Sequence, residues 1–112
     1  MQETPQVLVA QGFWQRLRGL MLTPSLPDHQ ALLIPRCASV HTLGMRFALD
    51  LVYLDRQGTV IKLVQGLKPW RLSWGGPNAR HTLEMSAGGI ARYDIRLGST
   101  SLMQADQLGA AT

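Results

Sequence analysis

The sequence predicts a mainly β domain, a compact β-sandwich or small barrel with one short N-terminal helix. Three observations carry this expectation. Phe47 to Leu54 is largely apolar on both parities, with Phe47, Leu49, Leu51 and Tyr53 on one face and Ala48, Val52 and Leu54 on the other, where Asp50 interrupts. A strand of that kind is covered on both sides and lies centrally in a sheet. Several shorter β-prone runs are separated by Gly, Pro and Asp turn signals. A sustained helical period occurs near the N-terminus, where Phe13, Trp14, Leu17, Leu20 and Met21 fall on one face and Gln15, Arg16 and Arg18 on the other.

In chain order, Val7 to Ala10 is a short strand-like run, broken by Gln11-Gly12. The helical stretch follows and stops at Thr23-Pro24, because the residue before proline disfavours the α region. Ala31 to Ile34 reads as a buried strand ended by Pro35. From Cys37 to Asp55 the chain reads as one continuous extended stretch that places Thr42, Gly44, Arg46, Ala48 and Asp50 on one face. Asp55-Arg56-Gln57-Gly58 is a hairpin turn with a left-handed glycine, leading into a strand from Thr59 to Val64. Gly66 to Pro77 is loop-rich and holds two of the three tryptophans. Asn78 to Met85 alternates as a half-exposed strand, with Arg80, Thr82 and Glu84 on the polar side. Ile90 to Ile95 reads as a helical turn, and Ser99 to Met103 as a last strand.

The 112 residues suit a single domain spanning 1–112, with an ordered core over about 7–103 and a flexible tail over 104–112. A hydrophobic fraction of 46% and a charged fraction of 16% exclude a disordered chain. Net charge is +4, and nine of the eleven basic residues are scattered arginines, which argues against specific nucleic-acid binding. One cysteine excludes an internal disulfide and fits a reducing, cytoplasmic setting. Met1 to Ala10 has neither a basic region nor a long apolar region, so no signal peptide is expected. No apolar run approaches the roughly 20 residues of a membrane span.

An ordered set of motifs then carries a resemblance. Arg16-x-x-Gly19-Leu20-Met21 is followed by Cys37-x-x-x-His41-Thr42-x-x-Met45-Arg46-Phe47-x-Leu49-Asp50, by Leu83-Glu84-Met85-x-Ala87-Gly88, and by Ile95-Arg96-Leu97-Gly98. Together, over Gly12 to Met103, they resemble the small bacterial family known as domain of unknown function 192. The resemblance implies a compact, mainly β, sandwich-like domain with no established activity or cofactor. Ser99 stands where that family often has Asp, and Gly88-Gly89 where one glycine is more usual.

The candidate site residues are Arg16, His41, Arg46, Asp50, Trp70, Trp74 and Glu84. A buried unpaired carboxylate is too costly to persist, so Asp50 must be held by Arg46, by Arg16 or by backbone donors, or must face a cleft. The resemblance gives Arg16 weight beyond a solvated helix surface, since a guanidinium there could reach Asp50 or Glu84. Trp70, Arg71 and Trp74 either line a ligand groove or pin a folded-back loop. Glu84, on the polar parity of its strand, reads as a solvated carboxylate. Cys37 and His41 lie about 13 Å apart along a strand, and His29 and His81 have no ligand spacing, so no metal or other cofactor is expected. Cys37 reads as a small buried hydrophobe. The function expected is a non-catalytic binding module, a monomer that holds a small ligand or peptide in a polar cleft beside the central strand. The alternative is a small hydrolase or lyase using His41 with Asp50 or Glu84 as an acid/base pair.

Overall fold

The computed structural model describes residues 5–9 and 28–100. Arg16, the helix expected over Phe13 to Met21, and residues from Ser101 onward lie outside the described residues. Seven strands and one short helix are present among those described. They are β1 (Gln6–Val9), β2 (Gln30–Ile34), β3 (Ser39–His41), β4 (Leu49–Leu54), β5 (Val60–Leu67), β6 (Leu72–Trp74), β7 (His81–Ser86) and α1 (Gly89–Arg92). Five strands form one sheet in the order β1-β2-β7-β4-β5, and β3 pairs with β6 in a second. β1 and β2 run parallel, and every other pair is antiparallel. Among the described residues the larger sheet ends at β1 and β5, so the fold is mainly β and the described strands do not close a barrel.

β4 is buried along its whole length, as its apolar faces require. Val52 and Leu54 pack on one side of the large sheet with Leu33, Leu83, Met85 and the α1 region residues Ile90, Tyr93 and Ile95. Leu49, Leu51 and Tyr53 pack on the other side with Val40 of β3 and Met45. The small sheet therefore covers the second face. Tyr53 reaches up to it and donates its hydroxyl to Ser73 Oγ of β6 at 2.7 Å. The β4–β5 turn is as expected: Gly58 has φ 83 and its amide reaches the Asp55 carbonyl at 3.1 Å. Asp55 Oδ1 accepts the amides of Gln57 and Thr59, both at 2.9 Å.

Four expectations are corrected. The stretch from Cys37 to Asp55 is two strands in two sheets. Thr42 closes a turn by accepting the Met45 amide at 3.1 Å, and Gly44 takes φ 82, so the chain leaves the small sheet before it enters the large one. Thr42, Gly44, Arg46, Ala48 and Asp50 thus do not share a strand face. The loop-rich segment contains β6, because Ser73 is drawn inward to Tyr53 while its neighbours face out. β7 lies between β2 and β4, and His81 to Met85 are buried on both faces rather than half-exposed. Ser99 and Thr100 are not in a strand, although the Ser99 carbonyl accepts the Val60 amide at 2.9 Å.

The two layers meet tightly at Gly75, where an added Cβ would fall onto the Tyr53 ring and 2.8 Å from Ala79 Cβ. Ring and backbone are both fixed there, so Gly75→Ala is expected to cost about 1–3 kcal/mol. Urea melts of the variant and the wild type measure that loss.

Candidate functional site

The candidate residues fall into a buried group on the large sheet and an exposed group on the small one. Asp50 is the centre of the buried group, at 1% exposure. Between Leu49 and Leu51 the pairing with β5 jumps from Leu67 to Val64, which leaves Gln65 and Gly66 opposite Asp50. This is a β-bulge, and a bulge leaves main-chain groups without a ladder partner. Gly66 takes φ 66 there, and its amide donates to Asp50 Oδ1 at 2.9 Å. The other carboxylate oxygen accepts the amides of Gly88 at 3.1 Å and Ile90 at 3.0 Å, in the turn from β7 into α1. Of the three holders expected for Asp50, the described residues supply the backbone donors. Arg46 is exposed and makes no ion pair among the described residues.

Glu84 is the second buried acid, and the expectation of a solvated carboxylate is overturned at 1% exposure. It lies opposite Leu32 of β2 and Leu51 of β4. It therefore points to the face beneath the small sheet, whereas Asp50 points to the α1 face. Its Oε2 has no hydrogen-bond partner among the described residues. Burial alone pushes its pKa from 4.5 up to about 8, so the side chain is a neutral acid near pH 7. Two other groups show the same desolvation. Burial lowers the His81 pKa, helped by Arg80 and Arg36, and burial raises that of Tyr53. His81 Nδ1 accepts the Arg36 amide at 3.1 Å, which puts the ring proton on Nε2, a buried atom with no partner among the described residues.

The exposed group sits on the outer face of the β3–β6 sheet. Its register sets Ser39 opposite Trp74 and His41 opposite Leu72. Trp70 is 64% exposed, Leu72 76% and Trp74 60%. The sheet thus brings His41, Leu72 and Trp74 to one surface, with Trp70 exposed just before β6, and keeps them apart from Asp50 and Glu84. Sequence reasoning missed Leu72, whose apolar side chain is the most exposed of the three; the alternation of Leu72, Ser73 and Trp74 was the available signal. The base of this surface is held by Thr42, which is fully buried. Its hydroxyl donates to the Lys68 carbonyl at 2.7 Å and accepts the Arg71 amide at 2.9 Å, and its carbonyl accepts the Trp70 amide at 2.9 Å. Trp70 is held at φ 63, a left-handed conformation uncommon outside glycine.

Cys37 is half-buried and donates its thiol to the Ser39 carbonyl at 2.9 Å. Among the described residues no group of three His, Cys, Asp or Glu side chains is placed to hold a metal ion. None of their helices is long and apolar enough to cross a membrane.

A buried central strand whose aspartate clamps a bulge in its edge neighbour, with a small tryptophan-bearing sheet over it, places the molecule among mainly β domains. Residues 1–102 match the family DUF192, described as an uncharacterized ACR, and the chain belongs to that family. It is 30% identical over 99 residues to the UPF0127 protein of Thermococcus sibiricus, a match that covers 85% of this chain and 64% of that relative's length. Two crystal structures share the fold. A protein of unknown function from Novosphingobium aromaticivorans superposes with a TM-score of 0.71 at 19% identity, covering 82% of this chain and 70% of that one. A protein from Sinorhizobium meliloti, provisionally named a transcription regulator, gives a TM-score of 0.72 at 20% identity, covering 82% of this chain and 76% of that one.

Two outcomes follow from the buried acids. Asp50→Ala leaves the buried Ile90 amide and the part-buried Gly66 and Gly88 amides without their acceptor, so a loss of about 1–3 kcal/mol is expected in urea melts. Asp50→Asn keeps one acceptor oxygen and is expected to lose less. Glu84 has a folded pKa raised above its unfolded value, so its contribution is fully present below about 4.5 and is lost as pH rises to about 8. The Glu84 contribution is expected to fall across that window by up to about 1.4 kcal/mol per pH unit, and Glu84→Gln to abolish this slope. His81 acts with the opposite sign, its contribution being lost as pH falls below 6.5. Melts from pH 7 to pH 8 therefore isolate Glu84, and its slope is expected to level off above about 8.

Proposed function

We propose that this domain is a non-catalytic binding module that holds a small ligand or peptide against the outer face of the β3–β6 sheet. The observation that carries this reading is the set Trp70, Leu72 and Trp74, each at least 60% exposed, with Leu72 and Trp74 on a two-stranded support and Trp70 just before it. Large apolar side chains are costly to leave in water, and an aromatic cluster beside Arg71 and His41 suits a binding rim. The support is fixed by buried hydrogen bonds through Thr42 and Tyr53, so the set is presented without a large ordering cost on binding.

The acid/base reading finds less support. His41 is exposed on the small sheet, Asp50 is fully engaged by three backbone amides, and Glu84 is enclosed on the other face of the large sheet from Asp50. A ligand screen by thermal shift tests the proposal, since a ligand that binds only the folded state raises its midpoint. Trp70→Ala and Trp74→Ala, at exposed positions, are expected to change stability by less than about 0.5 kcal/mol. Both are expected to abolish the midpoint shift given by any ligand found. Retention of that shift in the double variant would place binding elsewhere.

A further inference from the structure

We infer that the β6 edge is a docking site for an extended acidic peptide whose apolar side chains alternate with its carboxylates. The inference rests on the binding surface proposed above and adds the class of partner. Two independent observations carry it.

The first is main-chain geometry. Gly75 donates its amide to the Ala38 carbonyl at 2.8 Å, and Thr42 donates to the Arg71 carbonyl at 2.8 Å. In an antiparallel ladder bonded and non-bonded pairs alternate, so between these two the bonded pair is Val40–Ser73. The amides and carbonyls of Leu72 and Trp74 then point away from β3, to the outer edge of β6. The Trp74 carbonyl does face that way, since it accepts Lys62 Nζ at 2.7 Å. No other strand pairs with β6 among the described residues. An edge without a strand partner, where Leu72 presents its amide and carbonyl and Lys62 holds the Trp74 carbonyl, beside apolar side chains on alternate residues, is a geometry by which a sheet captures an extended peptide.

The second is charge. From Arg56 to Leu83, and from His29 to Leu49, the chain has no Asp or Glu. The surface around β6 instead carries exposed His41, Lys62, Lys68 and Arg71. The exposed acids Asp28 and Asp94 lie near the α1 end, where each meets an arginine. A one-sign face repels a second copy of itself and selects an anionic partner. Leu72 and Leu43 add aliphatic area that suits side chains better than stacked bases, and the few cations are spaced too widely to track a phosphate backbone.

Fluorescence anisotropy tests the inference with a labelled acidic peptide of alternating Glu and Leu or Tyr. The comparison probes are its Lys-for-Glu counterpart, an oligothymidine and vesicles of phosphatidylserine and phosphatidylcholine. Leu72→Pro removes only an amide that faces away from β3, which strand edges tolerate. Arg71→Glu reverses an exposed charge and serves on its own if Leu72→Pro does not fold. The acidic peptide is expected to bind the wild type and to weaken at least about tenfold in each folded variant, while its Lys counterpart does not bind. Equal binding of both peptides, unchanged binding in Arg71→Glu, or self-association in place of peptide binding would overturn it. Preference for oligothymidine or vesicles, lost in Trp70→Ala with Trp74→Ala, would overturn the peptide but leave the surface standing. Silence of all these probes and of the ligand screen would overturn both.

Discussion

The carboxylate of Asp50 holds together three parts of the chain that no ladder joins. β5 carries a bulge opposite it, β7 turns sharply behind it, and α1 begins beside it. Each of these leaves an inward-facing amide, and Asp50 accepts all three, through Gly66, Gly88 and Ile90. Buried main-chain donors without partners are strongly disfavoured, so a single side chain settles where the bulge and the α1 turn can form. Gly66 and Gly88 both adopt positive φ, at 66 and 96, which lets their amides converge on one carboxylate. The acid is thus a structural centre of the large sheet.

The second sheet depends on that frame from the other side. Leu51 and Tyr53 alternate with Val52 along β4, so the strand clamped at Asp50 also supports β3 and β6. Thr42 and the Tyr53–Ser73 hydrogen bond then fix β6, and Gly75 lets it lie close to the Tyr53 ring. The same burial that builds this frame strands two polar groups, His81 Nε2 and Glu84 Oε2. Both respond as desolvated groups do, by favouring their neutral forms. The buried side of the molecule is thereby nearly free of competing charge, and the exposed tryptophan-bearing face lies on the thin sheet above it.

Much of this was legible in the residues, for reasons that differ by element. β4 and its hairpin turn announced themselves because both faces of Leu49 to Leu54 are apolar but for Asp50, and Asp55 to Gly58 has turn chemistry. The need to satisfy Asp50 was legible too, since a carboxylate inside such a strand has few alternatives. The choice of backbone donors was not, because it depends on a bulge that appears only when β5 pairs with β4. Glu84 was misread because alternation in β7 was taken as exposure. Strand period tells which residues share a face, and only sheet order tells that both faces are covered. The break at Thr42 to Gly44 was hidden by apolar neighbours on both sides. The tryptophan pair was visible as a cluster, but its outward direction was set by Ser73 turning in.

If Asp50 is the constraint on which the sheet depends, the amides it accepts must open only when the core opens. Native-state hydrogen exchange reads this directly at Gly66, Gly88 and Ile90, three residues in a bulge or turn. The account predicts protection of all three comparable to that of the ladder amides in β4 and β7. Exchange at the rate of open loops, with β4 and β7 still protected, would contradict it.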